Sequence, residues 1–135
     1  MIERIIMAIL ASWIISQGIK IVIDLYKNRK VSLRILLRSG GMPSTHTAIV
    51  TALTTGIFFI DGTSLLFLTS LVFSIIVVAD ATGVRLDSER QASAINKIGN
   101  LKGKNKLNEH IGHTHIEAFA GTVIGFIITV ALFLI

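Results

Sequence analysis

The chain has 135 residues, of which 52% are hydrophobic and only 16% are charged. Soluble domains carry about 25% charged residues, so this composition excludes an ordinary soluble protein, and the length allows a single domain spanning residues 1–135. The absence of cysteine excludes disulfide bonds and thiolate metal sites. The net charge of +5 does not indicate nucleic acid, because the basic residues lie between apolar runs; anionic lipids and phosphate groups are the expected partners.

Four apolar segments approach the roughly 20 residues that a helix needs to cross a bilayer. They are residues 5–26, 47–60, 64–79 and 116–135. The two middle segments are short, and the Asp-Gly-Thr turn at residues 61–63 predicts that they form a helical hairpin. Gly121 and Gly125 form the small-xxx-small pattern that is typical of closely packed membrane helices.

Two polar, basic segments, residues 27–42 and 80–115, separate the apolar runs. In the first, apolar residues alternate with Arg34 and Arg38, which indicates a stretch lying along the membrane interface. In the second, residues 92–98 are expected to form a short helix. The sequence therefore predicts an all-α, polytopic transmembrane bundle of about four helices with an interfacial segment.

The distribution of positive charge predicts the orientation in the membrane. If the four helices alternate in direction, both polar segments lie on one face. These segments contain all of the 13 lysines and arginines except Arg4 and Lys20. Because basic loops remain on the cytoplasmic side, we expect both segments in the cytoplasm and both termini outside.

The first polar cluster, residues 40–46, leads into the second apolar segment. Pro43 suits the first turn of a helix, and Gly40 and Gly41 allow the backbone to approach a ligand closely. The free N–H groups of that turn and the Ser44 hydroxyl would form an oxyanion cradle. His46 is placed to donate a proton to a bound group. The alternative is a capped helix start with an interfacial histidine.

The second cluster, residues 112–117, leads into the last apolar segment. His113 and Glu117 are four residues apart, so they share one face of a helix. A carboxylate bonded to one imidazole nitrogen makes the other nitrogen a better nucleophile. One alternative is a helix-terminal ion pair without a catalytic role. Another is a zinc site, because His110 and His115 lie nearby.

Two further groups of polar residues lie in or beside apolar segments. Arg85 could bind a phosphate group, with Asp80 orienting it, although a local ion pair at a helix end is the simpler alternative. Gln17, Lys20 and Asp24 form a polar stripe in the first segment. An intramembrane lysine is a candidate functional residue, and its alternative role is a structural pair with Asp24.

The motifs at residues 41–46 and 112–121 resemble those of the type 2 phosphatidic acid phosphatase and vanadium haloperoxidase superfamily. That superfamily carries Pro-Ser-Gly-His and, later, His-x-x-x-Asp followed by Ala-Gly. The chain is more similar still to its divergent bacterial and plastid branch, the acid phosphatase/vanadium-dependent haloperoxidase-related membrane proteins. The matching motifs, in the same order, are Gln17-x-x-Lys20, Gly40-Gly41-Met42-Pro43-Ser44-x-His46, Asp80-Ala81-x-Gly83-Val84-Arg85, Gln91-Ala92 with Asn96, and Gly112-His113 with Glu117.

The resemblance implies a metal-independent phosphoryl transfer in two steps. His113 would attack phosphorus and form a phosphohistidine, Glu117 would orient His113, and His46 would protonate the leaving alcohol. The phosphate oxygens would be held by Lys20, Gly40, Gly41, Ser44 and Arg85.

Other residues would take supporting or substituting roles. The arginine that the superfamily places before its nucleophilic histidine is absent here, and Lys106, Arg38 or Arg85 would replace it. Gln17 and Asp80 would support the site. No metal or cofactor is implied, and vanadate is expected to act as a phosphate mimic that inhibits.

The resemblance implies a hydrolase of a lipid phosphate monoester or diphosphate, such as phosphatidylglycerophosphate or phosphatidate, in a bacterial cell membrane. The competing hypothesis is a non-enzymatic lipid-binding protein, channel or assembly factor that keeps the phosphate pocket. Catalysis requires His46 and His113 across one oxyanion-sized space, with Glu117 bonded to His113. A channel would instead continue the Gln17–Lys20–Asp24 stripe across the membrane. The sequence leaves homo-oligomerisation open.

Overall fold

The computed structural model describes residues 1–28 and 40–135, which form helices and contain no strand. The five α-helices are α1 (Ile2–Asn28), α2 (Thr45–Asp61), α3 (Leu65–Thr82), α4 (Val84–Ile98) and α5 (His115–Leu134), with a short 3-10 turn at Gly103–Asn105. Only Gly83 separates α3 from α4, so the chain forms four long helical units, and the predicted all-α bundle is confirmed. The predicted interfacial stretch and Arg38 fall within residues 29–39, outside the described residues.

Three of the four helical units are long and apolar enough to cross a membrane. The candidate spans are Ile2–Tyr26, Leu65–Ile98 and His115–Leu134. The remaining helix, α2, has 17 residues. At about 1.5 Å per residue it is shorter than the roughly 30 Å hydrocarbon core. Because α2 packs against α1, α3 and α5, it is the central helix of the bundle, and its buried residues run from Thr45 to Ile57.

Capping side chains fix where α2, α3 and α5 begin. Ser44 is the N-cap of α2, Ser64 is the N-cap of α3, and Thr114 forms a capping box with Glu117 at the start of α5. Pro43 therefore precedes the N-cap of α2 and does not occupy the first helical turn, which was its predicted position. The predicted α2–α3 hairpin is confirmed, with Gly62 in the turn at a φ of 59°.

The α2 and α5 helices run parallel to each other and lie very close together. Thr47 near the start of α2 donates a hydrogen bond to the carbonyl of Ala118 near the start of α5 (2.9 Å). Thr129, deeper in α5, donates to Ala52 of α2 (3.4 Å). A Cβ added at Gly121 would lie 2.1 Å from the Thr47 hydroxyl, which only glycine avoids. The close packing predicted from the small-xxx-small pattern is confirmed.

The helices that otherwise pack against each other run antiparallel, which brings the end of α1, the start of α2 and the segment between α3 and α5 to one end of the bundle. The Arg4 guanidinium at the start of α1 donates to the carbonyl of Phe133 at the end of α5 (3.3 Å). Ser74 in the second half of α3 donates to Val50 in the first half of α2 (3.2 Å). The four helical units therefore alternate in direction, and both polar segments emerge at the same end of the bundle.

Candidate active site

The starts of α2 and α5 lie side by side because the two helices are parallel. The Ser44 N–H donates a hydrogen bond to the carbonyl of Glu117 (2.9 Å), which joins the first and second polar clusters directly. The imidazole rings of His46 and His113 consequently lie 6.4 Å apart between centroids, with an angle of 61° between their planes. Residues 67 positions apart in sequence thus form one pair.

A single carboxylate oxygen, Oε2 of Glu117, contacts the His113 imidazole and orients it. Glu117 Oε2 lies 3.4 Å from His113 Nδ1 and also accepts the Thr114 N–H (3.0 Å), while Thr114 Oγ1 accepts the Glu117 N–H (3.3 Å). His113 precedes the Thr114 cap and lies outside α5, so the predicted shared helix face with Glu117 is wrong. The capping box instead holds the carboxylate against the imidazole. This arrangement favours a proton on Nδ1 and leaves the lone pair on Nε2.

One further nitrogen of each imidazole is buried. Neither Nε2 of His113 nor Nδ1 of His46 has a hydrogen-bond partner within residues 1–28 and 40–135. The His113 side chain is 1% exposed, and the backbone N–H of His113 donates to the carbonyl of Ala81 at the end of α3 (3.0 Å). Buried polar atoms are usually satisfied, so unpartnered ones beside each other are typical of a ligand site.

The protein lowers the pKa of both imidazoles, which lie outside the three candidate spans. Burial is the main cause for His113, and the charge of Lys20 adds to it, whereas Glu117 raises the pKa. Burial also lowers the pKa of His46, followed by the charges of Arg85, His113 and Lys20, with Asp80 opposing them. Both histidines are therefore biased toward the neutral form in the ligand-free site.

Two basic side chains act on the histidine pair. Lys20 of α1 is 5% exposed, and its charge acts on Glu117 and on both imidazoles. Arg85 forms an ion pair with Asp80 (2.5 Å) that is part-exposed, and its charge also acts on both imidazoles. The structure therefore brings the charges of Lys20, Arg85 and Asp80 close to the histidine pair, which is the site where the sequence analysis placed these residues.

The start of α2 supplies polar groups for an anion. The first N–H groups of an α-helix lack intrahelical acceptors, and here they belong to the turn that carries His46. Ser44 is fully buried, and its Oγ accepts the Thr47 N–H (3.4 Å), which leaves its hydroxyl proton to donate.

The glycines that precede α2 differ in what they do. The Gly40 N–H donates to the carbonyl of His110 (3.1 Å), so Gly40 joins the two polar segments and does not offer this N–H to a ligand. Gly41 has a φ of 100°, a conformation that L side chains rarely adopt. Both glycines line a polar concavity of about 180 Å³ that also contacts Thr114 and Glu117.

Not every predicted phosphate ligand lies in this cluster. The Lys106 ammonium pairs with Glu109 (3.3 Å), and both line a separate concavity with Asn96. Gln17 is 8% exposed, and its Oε1 has no partner in the described part of the chain. Arg38 lies outside the described residues.

Two side chains of α4 hold the segment that leads to His113, and the sequence reasoning gave neither a role. The Glu89 carboxylate accepts the N–H groups of Ile111 (3.1 Å) and Gly112 (3.0 Å). The Asn96 side chain donates to the Leu107 carbonyl (2.9 Å) and accepts its N–H (2.8 Å). Asn96 was visible as part of a motif, whereas Glu89 is indistinguishable in sequence from other charges of a polar helix.

The metal and channel alternatives find no support among the described residues. Residues 1–28 and 40–135 contain no group of three or more His, Asp or Glu side chains arranged to bind a metal ion, and His110 and His115 are exposed. On α1 the buried face continues from Lys20 through Ser16 and Ser12 to the apolar Ala8. The buried polar stripe therefore extends as far as Ser12 and becomes apolar at Ala8, short of the N-terminal end of α1.

Comparisons with known proteins agree with this arrangement. A sequence model described as the divergent PAP2 family matches residues 1–128. An uncharacterized membrane protein of Bacillus subtilis (strain 168), YuiD, is 37% identical over 141 residues, covering 91% of this chain and 89% of the relative. No solved structure matches. Because the family model matches nearly the whole chain, the protein belongs to the divergent PAP2 family.

Proposed function

We propose that this protein is a metal-independent membrane phosphatase that hydrolyses a lipid phosphate monoester or diphosphate through a phosphohistidine at His113. The observation that carries the proposal is the buried His113 imidazole, whose Nδ1 faces Glu117 and whose Nε2 is unpartnered beside His46. A fixed tautomer with an unused lone pair is what a nucleophilic histidine requires.

The spacing of the two histidines supports a transfer between them. A nucleophile attacks from about 3–3.5 Å, and an acid donates to the leaving oxygen at about 2.8 Å, with a P–O bond between. These distances require nitrogens more than about 6 Å apart. The ring centroids of His46 and His113 are 6.4 Å apart, and nitrogens that face each other lie closer than the centroids. A modest opening of the pair therefore brings the nitrogens to the required separation.

The chemistry proceeds in two balanced steps. Nε2 of His113 forms a bond to phosphorus as the bond to the leaving oxygen breaks, and His46 gives its proton to that oxygen. Neutral His46 then takes a proton from water, whose oxygen attacks phosphorus. The P–N bond breaks and returns its electron pair to His113, which releases inorganic phosphate.

Charge at the site supports both steps. Lys20, Arg85 and the start of α2 place positive charge or N–H groups around the pair, where they stabilise the charge that develops on the phosphoryl oxygens. The free site lowers the pKa of His46, and a bound dianion has the opposite effect. Substrate binding therefore protonates the acid at the moment when it is needed.

The orientation of the bundle favours a substrate on the cytoplasmic side. Both polar segments emerge at the end of the bundle that carries His46 and His113, and they contain nearly all of the basic residues. The positive-inside bias supports a cytoplasmic position for this end. Phosphatidylglycerophosphate and phosphatidate carry the phosphate monoester that the mechanism requires, and an isoprenoid diphosphate offers the same terminal group.

A second candidate is a non-enzymatic protein that binds lipid phosphate without turnover. The observation that favours it is the burial of Nε2 of His113 and Nδ1 of His46, which closes the pair to a substrate in this conformation. Catalysis requires the side chains around the pair to separate when the headgroup binds.

Phosphate release by the purified protein from a panel of phosphorylated lipids tests the proposal. We expect release by the wild type and by His115→Ala, an exposed histidine two residues from the nucleophile that serves as the matched control. His113→Ala should release no phosphate while it remains folded and membrane-inserted. Full activity of His113→Ala would refute the nucleophile, and binding without turnover by the wild type would favour the second candidate.

The role of His46 is tested by changing the leaving group. His46→Ala should lose much more activity toward a lipid phosphate than toward a nitrophenyl phosphate, because nitrophenolate leaves without needing a proton. Equal losses on the two substrates would contradict His46 as the acid.

A further inference from the structure

A lateral groove of about 460 Å³ lies on the membrane side of the bundle, below the histidine pair. Its floor is α2, and its walls are α3 and α5. The groove exists because α3 and α5 each pack along α2 and make little contact with each other. Its lining includes Thr51 and Thr55 of the floor, Leu71, Ile75 and Ala79 of one wall, and Thr122 of the other.

Three of the five hydroxyl groups that line the groove are bonded to the helices themselves. Thr54 Oγ1 donates to the carbonyl of Ser70 (3.1 Å), Ser74 Oγ donates to Val50 (3.2 Å), and Thr122 Oγ1 donates to Ala118 (3.2 Å). These side chains therefore present hydrocarbon to the groove and keep their donors occupied. Such a lining suits an alkyl chain better than a polar headgroup or water.

One end of the groove lies next to the candidate active site along the chain. Ala79, at one end, directly precedes Asp80, which pairs with Arg85 beside the histidines. The wall formed by α3 extends from Ala79 down to Leu71, away from that end. Eight residues of helix span about 12 Å, which matches an extended chain of about ten carbons. A headgroup at the histidine pair thus has a path for one chain into the membrane.

We infer that this groove holds one hydrocarbon chain of the phosphorylated lipid whose phosphate group binds between His46 and His113. The inference rests on the proposed function and narrows its substrate to phosphates that carry at least one long alkyl or prenyl chain. Because the chain is already in hydrocarbon before it binds, the groove aligns the substrate and adds little hydrophobic affinity. We therefore expect its loss to reduce activity about tenfold, through positioning.

Two adjacent isoleucines provide a matched test. Ile75 lines the groove and is 60% exposed, whereas Ile76 is 59% exposed and does not line it. In Ile75→Trp, the ratio of activity on a long-chain phosphatidate to activity on nitrophenyl phosphate should fall about tenfold. In Ile76→Trp that ratio should stay at the wild-type value. Equal ratios in the two variants would overturn the inference.

Photolabelling of the wild type tests this inference separately from the proposed function, because it requires neither turnover nor a folded variant. A non-hydrolysable long-chain phosphonate with a diazirine near the tenth chain carbon should label peptides that contain Ile75 or Thr122. A phosphatidylcholine with the same diazirine should label them much less. Labelling elsewhere, equal labelling by phosphatidylcholine, or cross-linking of the groove to a second copy of the chain would each overturn the groove assignment. Groove labelling without phosphate release would instead overturn the proposed function alone.

Discussion

Replacing Gly121 with alanine tests the connection between helix packing and the active site. The added Cβ would lie 2.1 Å from the Thr47 hydroxyl and 2.2 Å from the carbonyl oxygen of Ser44. Ordinary carbon–oxygen contacts are about 3.3–3.6 Å, so the starts of α2 and α5 must separate by about 1 Å. Overpacking usually costs about 1–3 kcal/mol, and a backbone carbonyl cannot rotate away, so we expect the upper part of that range.

The same separation moves His46 away from His113. The separation also lengthens the hydrogen bond from the Ser44 N–H to the Glu117 carbonyl, which joins the two clusters and is 2.9 Å in the wild type. A misplacement of about 1 Å can lower an enzymatic rate about 100-fold. We therefore expect Gly121→Ala to lose about two orders of magnitude in phosphate release in addition to its loss of stability.

Thermal unfolding in detergent micelles measures the stability change without depending on any activity, and phosphate release measures the second effect. Gly18→Ala is the matched control, because a Cβ at this exposed position of α1 meets nothing within 4 Å. Gly18→Ala should melt at the wild-type temperature. If Gly121→Ala unfolded at the same temperature as Gly18→Ala, the packing argument would be refuted.

Three further predictions concern the chemistry and the orientation. Because His113 must be neutral to attack and its pKa is lowered, the acid limb of the kcat/KM profile should have its midpoint below pH 6.5. The Lys20 charge lowers this pKa, so Lys20→Met should move the midpoint toward higher pH; an unchanged midpoint would contradict the coupling between Lys20 and His113. Vanadate should inhibit because it adopts the trigonal-bipyramidal geometry of phosphoryl transfer, whereas chelators should not; activity lost to a chelator and restored by zinc or magnesium would contradict the mechanism. A membrane-impermeant thiol reagent applied to intact cells should label a cysteine at the exposed Thr63 of the α2–α3 turn and spare one at the exposed Ala94 of α4, and the reverse pattern would invert the topology.

The sequence determined the architecture and the local chemistry because both depend on short-range patterns. Runs of apolar residues long enough to cross a bilayer fixed the helices, and the Asp-Gly-Thr turn fixed the hairpin. The spacing of His113 and Glu117 led us to expect a contact on one helix face, but α5 begins at His115 and His113 lies before it. The contact forms because the capping box at Thr114 turns the Glu117 carboxylate back toward His113. The family motifs were readable because each is a continuous stretch of sequence.

Tertiary packing decided which of these stretches meet. The parallel arrangement of α2 and α5 brings His46 to His113, and it depends on glycines that let two helix backbones approach. Packing also determined that the Gly40 N–H bonds to the His110 carbonyl and that Lys106 pairs with Glu109. It likewise brought the Glu89 carboxylate to the backbone N–H groups just before His113. A charged side chain in a polar helix has many partners within its reach. Only the positions of the neighbouring backbones determine which one it binds.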